Sequence, residues 1–251
     1  TALEPVMQRK GGAWIGWHGA PDETVEPFHH EGYDIVPIPL SAQEVTEYYE
    51  GFSNASLWPL YHDCVVDPEF HREWWDSYRT VNTRFAEEVA KRAAKNATVW
   101  VQDYQLHLVP QLLRDQRSDV CVGFFLHIPF PNPELFRQLP WRDELLKGTL
   151  GADVIGFHTQ DSARNFLDTL RALGYEVSTD DDADAAEFFH GARMPEDGCI
   201  VGRVALEDGR TAKIGVFPIS IDSAQVQKQS MAAETLAATT QLRAQLGAPK
   251  Y

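Results

Sequence analysis

The order of apolar and amphipathic segments predicts an α/β chain built on a Rossmann-like, doubly wound, mainly parallel sheet. Two observations carry this. Four apolar runs, at 98–101, 120–126, 154–157 and 214–219, are short and uninterrupted. Such runs suit strands covered on both faces, as in a parallel sheet. Between them lie segments whose apolar residues recur at three or four, the stripe of a helix packed on one side. Strand and helix take turns, which is the order of a doubly wound sheet.

Taken in order, residues 1–9 have the composition of a helix interior, and 13–17 and 33–40 are two further apolar runs expected to be strands. Ser41 and Glu44 have the spacing of a capping box for a helix running through Tyr49. From Trp75, the residues Tyr78, Val81, Phe85, Val89 and Ala93 line one stripe of a long helix. Leu106, Val109, Leu112 and Leu113 make a shorter stripe. Phe166, Leu167, Leu170 and Leu173 make a third, closed by Gly174 as the residue beyond the helix end. Residues 176–199 interrupt the alternation with the acidic tract at 180–184, expected to be a solvated surface loop. That tract lacks the ligand spacing of an EF-hand loop. Two short runs around Glu207, Asp208 and Gly209 predict a hairpin, and the Ala/Gln-rich segment 223–246 predicts a helix.

Composition limits the function classes. The chain has 251 residues and is 43% hydrophobic, enough for a sizeable core. Its formal net charge is −15, which argues against nucleic acid or an anionic membrane as partner. A local pocket for one small phosphate stays compatible with that charge. Cys64, Cys121 and Cys199 are scattered and odd in number, a poor disulfide framework. Cys121, inside an apolar run, is expected to pack as a small hydrophobe. A reducing, cytoplasmic setting is expected. No apolar run approaches the ~20 residues of a membrane span.

In an open parallel sheet, ligands bind beyond the carboxyl ends of the strands. Asp103 and His127 follow two of the proposed strands. Asp103 either caps the next helix or accepts sugar hydroxyls. His127 is either a satisfied structural histidine or a donor to a hydroxyl. His158 and Asp222 also follow strands and are read as helix-start residues. Trp14, Trp74, Trp75 and Trp100 are expected in the core. Trp17 and Trp58 differ, because polar loop residues flank each one. No dinucleotide or P-loop glycine motif occurs, no G-x-S-x-G elbow, and no paired zinc-ligand spacing. No cofactor and no metal site are expected.

Several longer stretches carry a resemblance. Residues 48–59 (YYEGFSNASLWP), 100–106 (WVQDYQL), 123–131 (GFFLHIPFP), 152–158 (ADVIGFH) and 217–222 (FPISID) occur in the order found in trehalose-6-phosphate synthases. Residues 16–19 (GWHG) resemble their early GW-x-G segment. The resemblance implies the amino-terminal half of a GT-B glycosyltransferase, with residues 1–222 as the acceptor-binding domain. Residues 223–251 would then be a helix and the start of the link to a donor domain. It implies transfer of glucose from UDP-glucose to glucose 6-phosphate, with retention and without a covalent protein nucleophile. It implies that Tyr49 contacts the acceptor phosphate and Asp103 the sugar hydroxyls. Trp58 and Ile128 shape the pocket, Trp17 lies on the acceptor side, and His127 lies beside the transferred glucose. His127 and Asp103 are the catalytic candidates.

The family also implies a first strand with an arginine for the phosphate ahead of residue 1, and a donor domain beyond residue 251. On that reading the isolated chain binds glucose 6-phosphate weakly and transfers nothing. A regulatory module of the same family, or an enzyme with glycerol phosphate or a cyclitol as acceptor, stays open, as does assembly into a homo-oligomer. A hydrolase would need a second acid near Asp103, and only Asp222 stands at a comparable position.

Overall fold

The computed structural model describes residues 3–64, 66–179, 199–218 and 223–247. The acidic tract 180–184, the end of the fourth apolar run and Asp222 lie outside the described residues. The chain divides into two compact units, Thr1–Phe217 and Pro218–Tyr251.

The first unit holds a six-stranded sheet. Its strands are β4 (Thr98–Gln102), β5 (Cys121–Leu126), β6 (Val154–Phe157), β7 (Glu176–Ser178), β8 (Cys199–Ala205) and β9 (Thr211–Val216), in the spatial order β4-β5-β6-β9-β8-β7. The pairs from β4 to β9 are parallel, and β8 and β7 add antiparallel. Phe124, Phe125 and Leu126 of β5 and Ile155, Gly156 and Phe157 of β6 are buried in succession, on both faces of the sheet, which is why these runs are apolar without alternation. Cys121, by contrast, is exposed, because it opens β5 at the strand's outer end. The expected hairpin is β8–β9, turned at 206–210 with Gly209 at φ +81°.

Besides the short helices α1 (Glu4–Lys10), α2 (Ala42–Glu44), α3 (Trp58–Tyr61) and α6 (Pro133–Phe136), longer helices cover the sheet. The long helix α4 (Arg72–Arg92) buries Trp75, Tyr78, Val81, Phe85 and Ala86, the stripe expected from their spacing. Helix α5 (Val109–Gln116) starts at a proline in its first turn, where the missing N–H costs nothing. Helix α7 is Arg142–Thr149. Helix α8 (Gln160–Ala172) buries Ala163, Phe166, Leu167 and Leu170 and is capped by Thr159, which accepts from the Ser162 N–H. Gly174 follows with φ +85°.

Two differences from the expected single sheet matter. Strands β1 (Ala13–Gly16), β2 (Phe28–His30) and β3 (Tyr33–Pro37) form a separate three-stranded sheet in the order β1-β3-β2. Among the described residues, no strand pairs with the outer edge of β1 or of β4. A cavity of about 740 Å³ lies where those edges approach, lined by Ala13, Ile15, Val89, Ala93, Thr98 and Trp100. Trp100 and Trp14, expected in the core, are therefore 52% and 36% exposed. The second difference follows Ser41. The capping box is present in full, but only Ala42–Glu44 is α-helical. From Val45 to Leu57 the turn widens to π-type hydrogen bonding. Tyr48, Phe52 and Leu57 still reach the core, and Gly51 gives the Trp74 ring room, since a Cβ there would lie 2.6 Å from it.

The second unit contains the helices Ser223–Ser230 and Ala233–Gln245, and the latter buries no side chain. No helix among the described residues is long and apolar enough to cross a membrane.

Candidate functional site

The parallel register sets the site. Gln102 is the last residue of β4, opposite Phe125, and Leu126 of β5 is opposite Phe157 of β6. Asp103, His127 and His158 therefore leave the sheet side by side at its carboxyl edge.

Asp103 has φ +71° and ψ 173°, a region that residues other than glycine avoid. Three hydrogen bonds hold it there. Its N–H donates to the Phe125 carbonyl at 2.7 Å, extending the ladder by one residue. Its Oδ1 accepts from the N–H of Tyr104 at 3.0 Å and of His127 at 3.1 Å. The carboxylate thus ties the ends of β4 and β5 together, while Oδ2 takes no hydrogen bond among the described residues. The capping reading of Asp103 holds through Oδ1, which leaves Oδ2 unpaired among the described residues.

Aromatic side chains stand beside this carboxylate. The Tyr104 hydroxyl donates to Asn54 Oδ1 at 2.8 Å, which fixes the ring against the π-helical segment. Burial, the Asp103 charge and nearby Tyr49 all push the Tyr104 phenol above its ordinary range, so it stays a neutral donor. Trp58 packs at 5.7 Å from Tyr104 and 4.0 Å from the His62 ring, yet is 42% exposed. Trp17 packs on Tyr49 at 5.4 Å and donates its indole N–H to the Ala20 carbonyl. Partly exposed indoles together with an unpaired carboxylate oxygen suit a sugar ring, with its apolar C–H face and its rim of hydroxyls.

His127 has Nε2 2.8 Å from Gln102 Oε1 and Nδ1 3.2 Å from His158 Nε2. Phe125 packs against both imidazoles. Burial, and secondarily the charge of His127, lowers the His158 pKa, against a smaller opposing effect of Asp103. His158 was expected to start a helix, but α8 begins two residues later behind Thr159. Ile128 is buried in the core just behind His127. Gln102, Asn54 and Tyr104 were not singled out from the sequence, and His158 was read there only as a helix-start residue. Gln102 directly follows an apolar run and His158 precedes a capping threonine, and their adjacency becomes visible only through the register.

One group of three potential metal ligands occurs among the described residues, Glu4, His30 and Glu31, and it shares no residue with this edge.

The chain matches the model of glycosyltransferase family 20 over residues 1–250. It is 49% identical over 256 residues to the trehalose-6-phosphate synthase of Mycolicibacterium vanbaalenii, covering all of this chain and 50% of that protein. A solved trehalose-6-phosphate synthase from E. coli, bound with UDP-2-fluoro glucose, superposes with a TM-score of 0.76 at 30% identity, covering 98% of this chain and 50% of that one. A UDP-forming trehalose-phosphate synthase from Burkholderia xenovorans, solved with glucose-6-phosphate, gives 0.74 at 25% identity, covering 95% and 51%. The chain spans about half the length of these relatives. Its α/β fold, with a mainly parallel sheet, is that of their amino-terminal GT-B domain, and the chain belongs to glycosyltransferase family 20.

Proposed function

We propose that this chain is the acceptor-binding part of a retaining trehalose-6-phosphate synthase. It binds glucose 6-phosphate against the carboxyl ends of β4 and β5. The observation that supports this most is the unpaired Oδ2 of Asp103 at the strand end, next to Tyr104, on whose ring the partly exposed Trp58 packs. Asp103 accepts hydrogen bonds from acceptor hydroxyls. Tyr49 reaches the phosphate, Trp17 backs Tyr49, Trp58 covers the sugar ring, and buried Ile128 sets the depth of the pocket.

In the reaction, the bond from glucose C1 to the UDP oxygen breaks and a bond from C1 to the acceptor's anomeric oxygen forms on the same face. The acceptor proton passes to the departing diphosphate. None of the edge residues is placed as an attacking nucleophile, and their work is positioning and stabilising charge. The row containing His127 stands beside the transferred glucose. UDP-glucose is held mainly by residues outside this chain, to which 223–251 lead, and the setting is cytoplasmic.

Calorimetric titration of the chain with glucose 6-phosphate tests the reading. Saturable binding weaker than micromolar, weakened further on Asp103→Asn, is the expected result. Binding that ignores Asp103→Asn would overturn the site. Release of UDP that depends on both sugars, from this chain alone, would overturn its role as acceptor part only.

A further inference from the structure

Tyr49 and Trp58 stand nine residues apart in the chain. In an α-helix, at about 3.6 residues per turn, that spacing makes roughly two and a half turns and sets the two side chains on opposite faces. The segment Val45–Leu57 is wound more widely. Where each N–H reaches back five residues instead of four, the turn lengthens, and nine residues come close to two whole turns. Tyr49 and Trp58 then share a face, with Asn54 between them. The buried Tyr48, Phe52 and Leu57 follow the same longer period on the core side.

Tyr104, just beyond β4, meets all three residues of that face. Its ring lies 5.7 Å from that of Trp58, and its hydroxyl donates to Asn54 Oδ1 at 2.8 Å. Burial, the Asp103 charge and the Tyr49 phenol, which is therefore close, push its pKa up. An α-wound segment would turn Tyr49 away from this side chain. Two bonds inside the segment mark the wide winding. The Ser53 hydroxyl donates to the Tyr48 carbonyl at 2.8 Å, and the Trp58 N–H donates to the Ser53 carbonyl, each reaching back five residues. The bond from Tyr104 comes from outside the segment and is anchored at its other end. The Tyr104 N–H donates to Asp103 Oδ1 at 3.0 Å, and its carbonyl accepts from the Tyr78 hydroxyl at 2.7 Å. Tyr104 thus spans from the strand end that carries Asp103 to the segment that carries Tyr49 and Trp58.

We propose that Asn54 and Tyr104 are positioning residues of the acceptor site: their hydrogen bond holds Val45–Leu57 in its wide winding and so gathers Tyr49 and Trp58 around Tyr104, the neighbour of Asp103. What Tyr49, Trp58 and Asp103 do toward glucose 6-phosphate rests on the acceptor-binding reading above; the dependence of the winding on this bond does not. Neither positioning residue needs to touch the sugar. Rewound as an α-helix, the segment would present Tyr49 or Trp58 to the strand end, but not both.

Scalar couplings across backbone hydrogen bonds in the 251-residue chain test the winding. The Trp58 nitrogen is expected to couple to the Ser53 carbonyl carbon. Coupling to the Asn54 carbonyl instead is the α pattern and would overturn the proposal. Tyr104→Phe, which removes one oxygen and keeps the ring, and Asn54→Ala are both expected to lose the Ser53 coupling. Asn54→Asp, which keeps an acceptor oxygen, is expected to retain it. A coupling unchanged in Tyr104→Phe and Asn54→Ala would overturn the proposal, and loss in Asn54→Asp as well would trace the effect to something other than this bond. Calorimetry with glucose 6-phosphate tests the role. Tyr104→Phe and Asn54→Ala should each weaken binding roughly threefold to tenfold, and the double variant no further, because the same bond is lost in all three. Losses that multiply in the double variant, or parent affinity in either single one, would overturn the positioning role. A parent chain without saturable binding would overturn the acceptor-binding reading and the role that rests on it, while the couplings would still decide the winding.

Discussion

At the scale of single residues, Asp103 joins two functions that compete in most proteins. Its Oδ1 fastens two backbone N–H groups and its Oδ2 is left for a ligand. Asp103→Asn keeps one acceptor oxygen for the cap and removes the charge. Affinity for glucose 6-phosphate should fall by about 1–3 kcal/mol, roughly 5- to 150-fold, with little change in Tm. Calorimetry and thermal melting together check this. His107 makes the opposite case, a histidine wholly enclosed. The Thr149 hydroxyl donates to the Leu145 carbonyl, so His107 Nδ1–H must donate to Thr149 Oγ1, and Nε2 accepts from the Tyr61 hydroxyl. Burial pushes its pKa down to about 3 from 6.5. Between those values the unfolded chain binds a proton that the folded chain does not. The stability that follows is complete above pH 6.5 and declines as pH falls toward 3, by at most about 1.4 kcal/mol per unit. Urea midpoints at about pH 7 and pH 5 should therefore differ less in His107→Gln than in the parent. Asp103 and His127 were legible in the sequence because each follows an apolar run. The approach of Gln102 and His158 to His127 was not, because it depends on a register between strands far apart in the chain.

At the scale of elements, legibility followed burial. β5 and β6 were plain, since strands covered on both faces are apolar throughout. β2 and β7 have three residues each, and all three of β2 are exposed, so neither leaves a hydrophobic pattern. The segment Val45–Leu57 kept the spacing of an amphipathic helix, and apolar spacing alone does not separate a turn of 3.6 residues from a wider one. The turn between α7 and β6 rests on close backbone contact. A Cβ at Gly151 would lie 2.2 Å from the Gln111 nitrogen and 2.3 Å from its Cα, both backbone atoms of α5. Gly151→Ala must push α5 away. It should cost roughly 1–3 kcal/mol or more, read as a lower urea midpoint with unchanged slope.

At the scale of the whole molecule, the charge of −15 works against an anionic ligand. The Debye length shrinks from about 30 Å at 0.01 M salt to about 8 Å at 0.15 M. Affinity for glucose 6-phosphate should thus tighten as salt is raised over that range. Weakening would mean that a local cationic group outweighs the global field. Another consequence lies in β9, parallel to β6 on one side and antiparallel to β8 on the other. The β8–β9 hairpin closes over a short turn and needs nothing else to nucleate. The parallel β6–β9 pairing, in contrast, must wait until α8 and everything after it have been made. Assembly then ends with a ready-made hairpin zipping onto an exposed apolar strand. Until that moment the backbone edge of Val154–Phe157 can recruit the same edge of another molecule. A shortened chain ending before Cys199 should accordingly form light-scattering aggregates, though every residue of the strand-end row is still present.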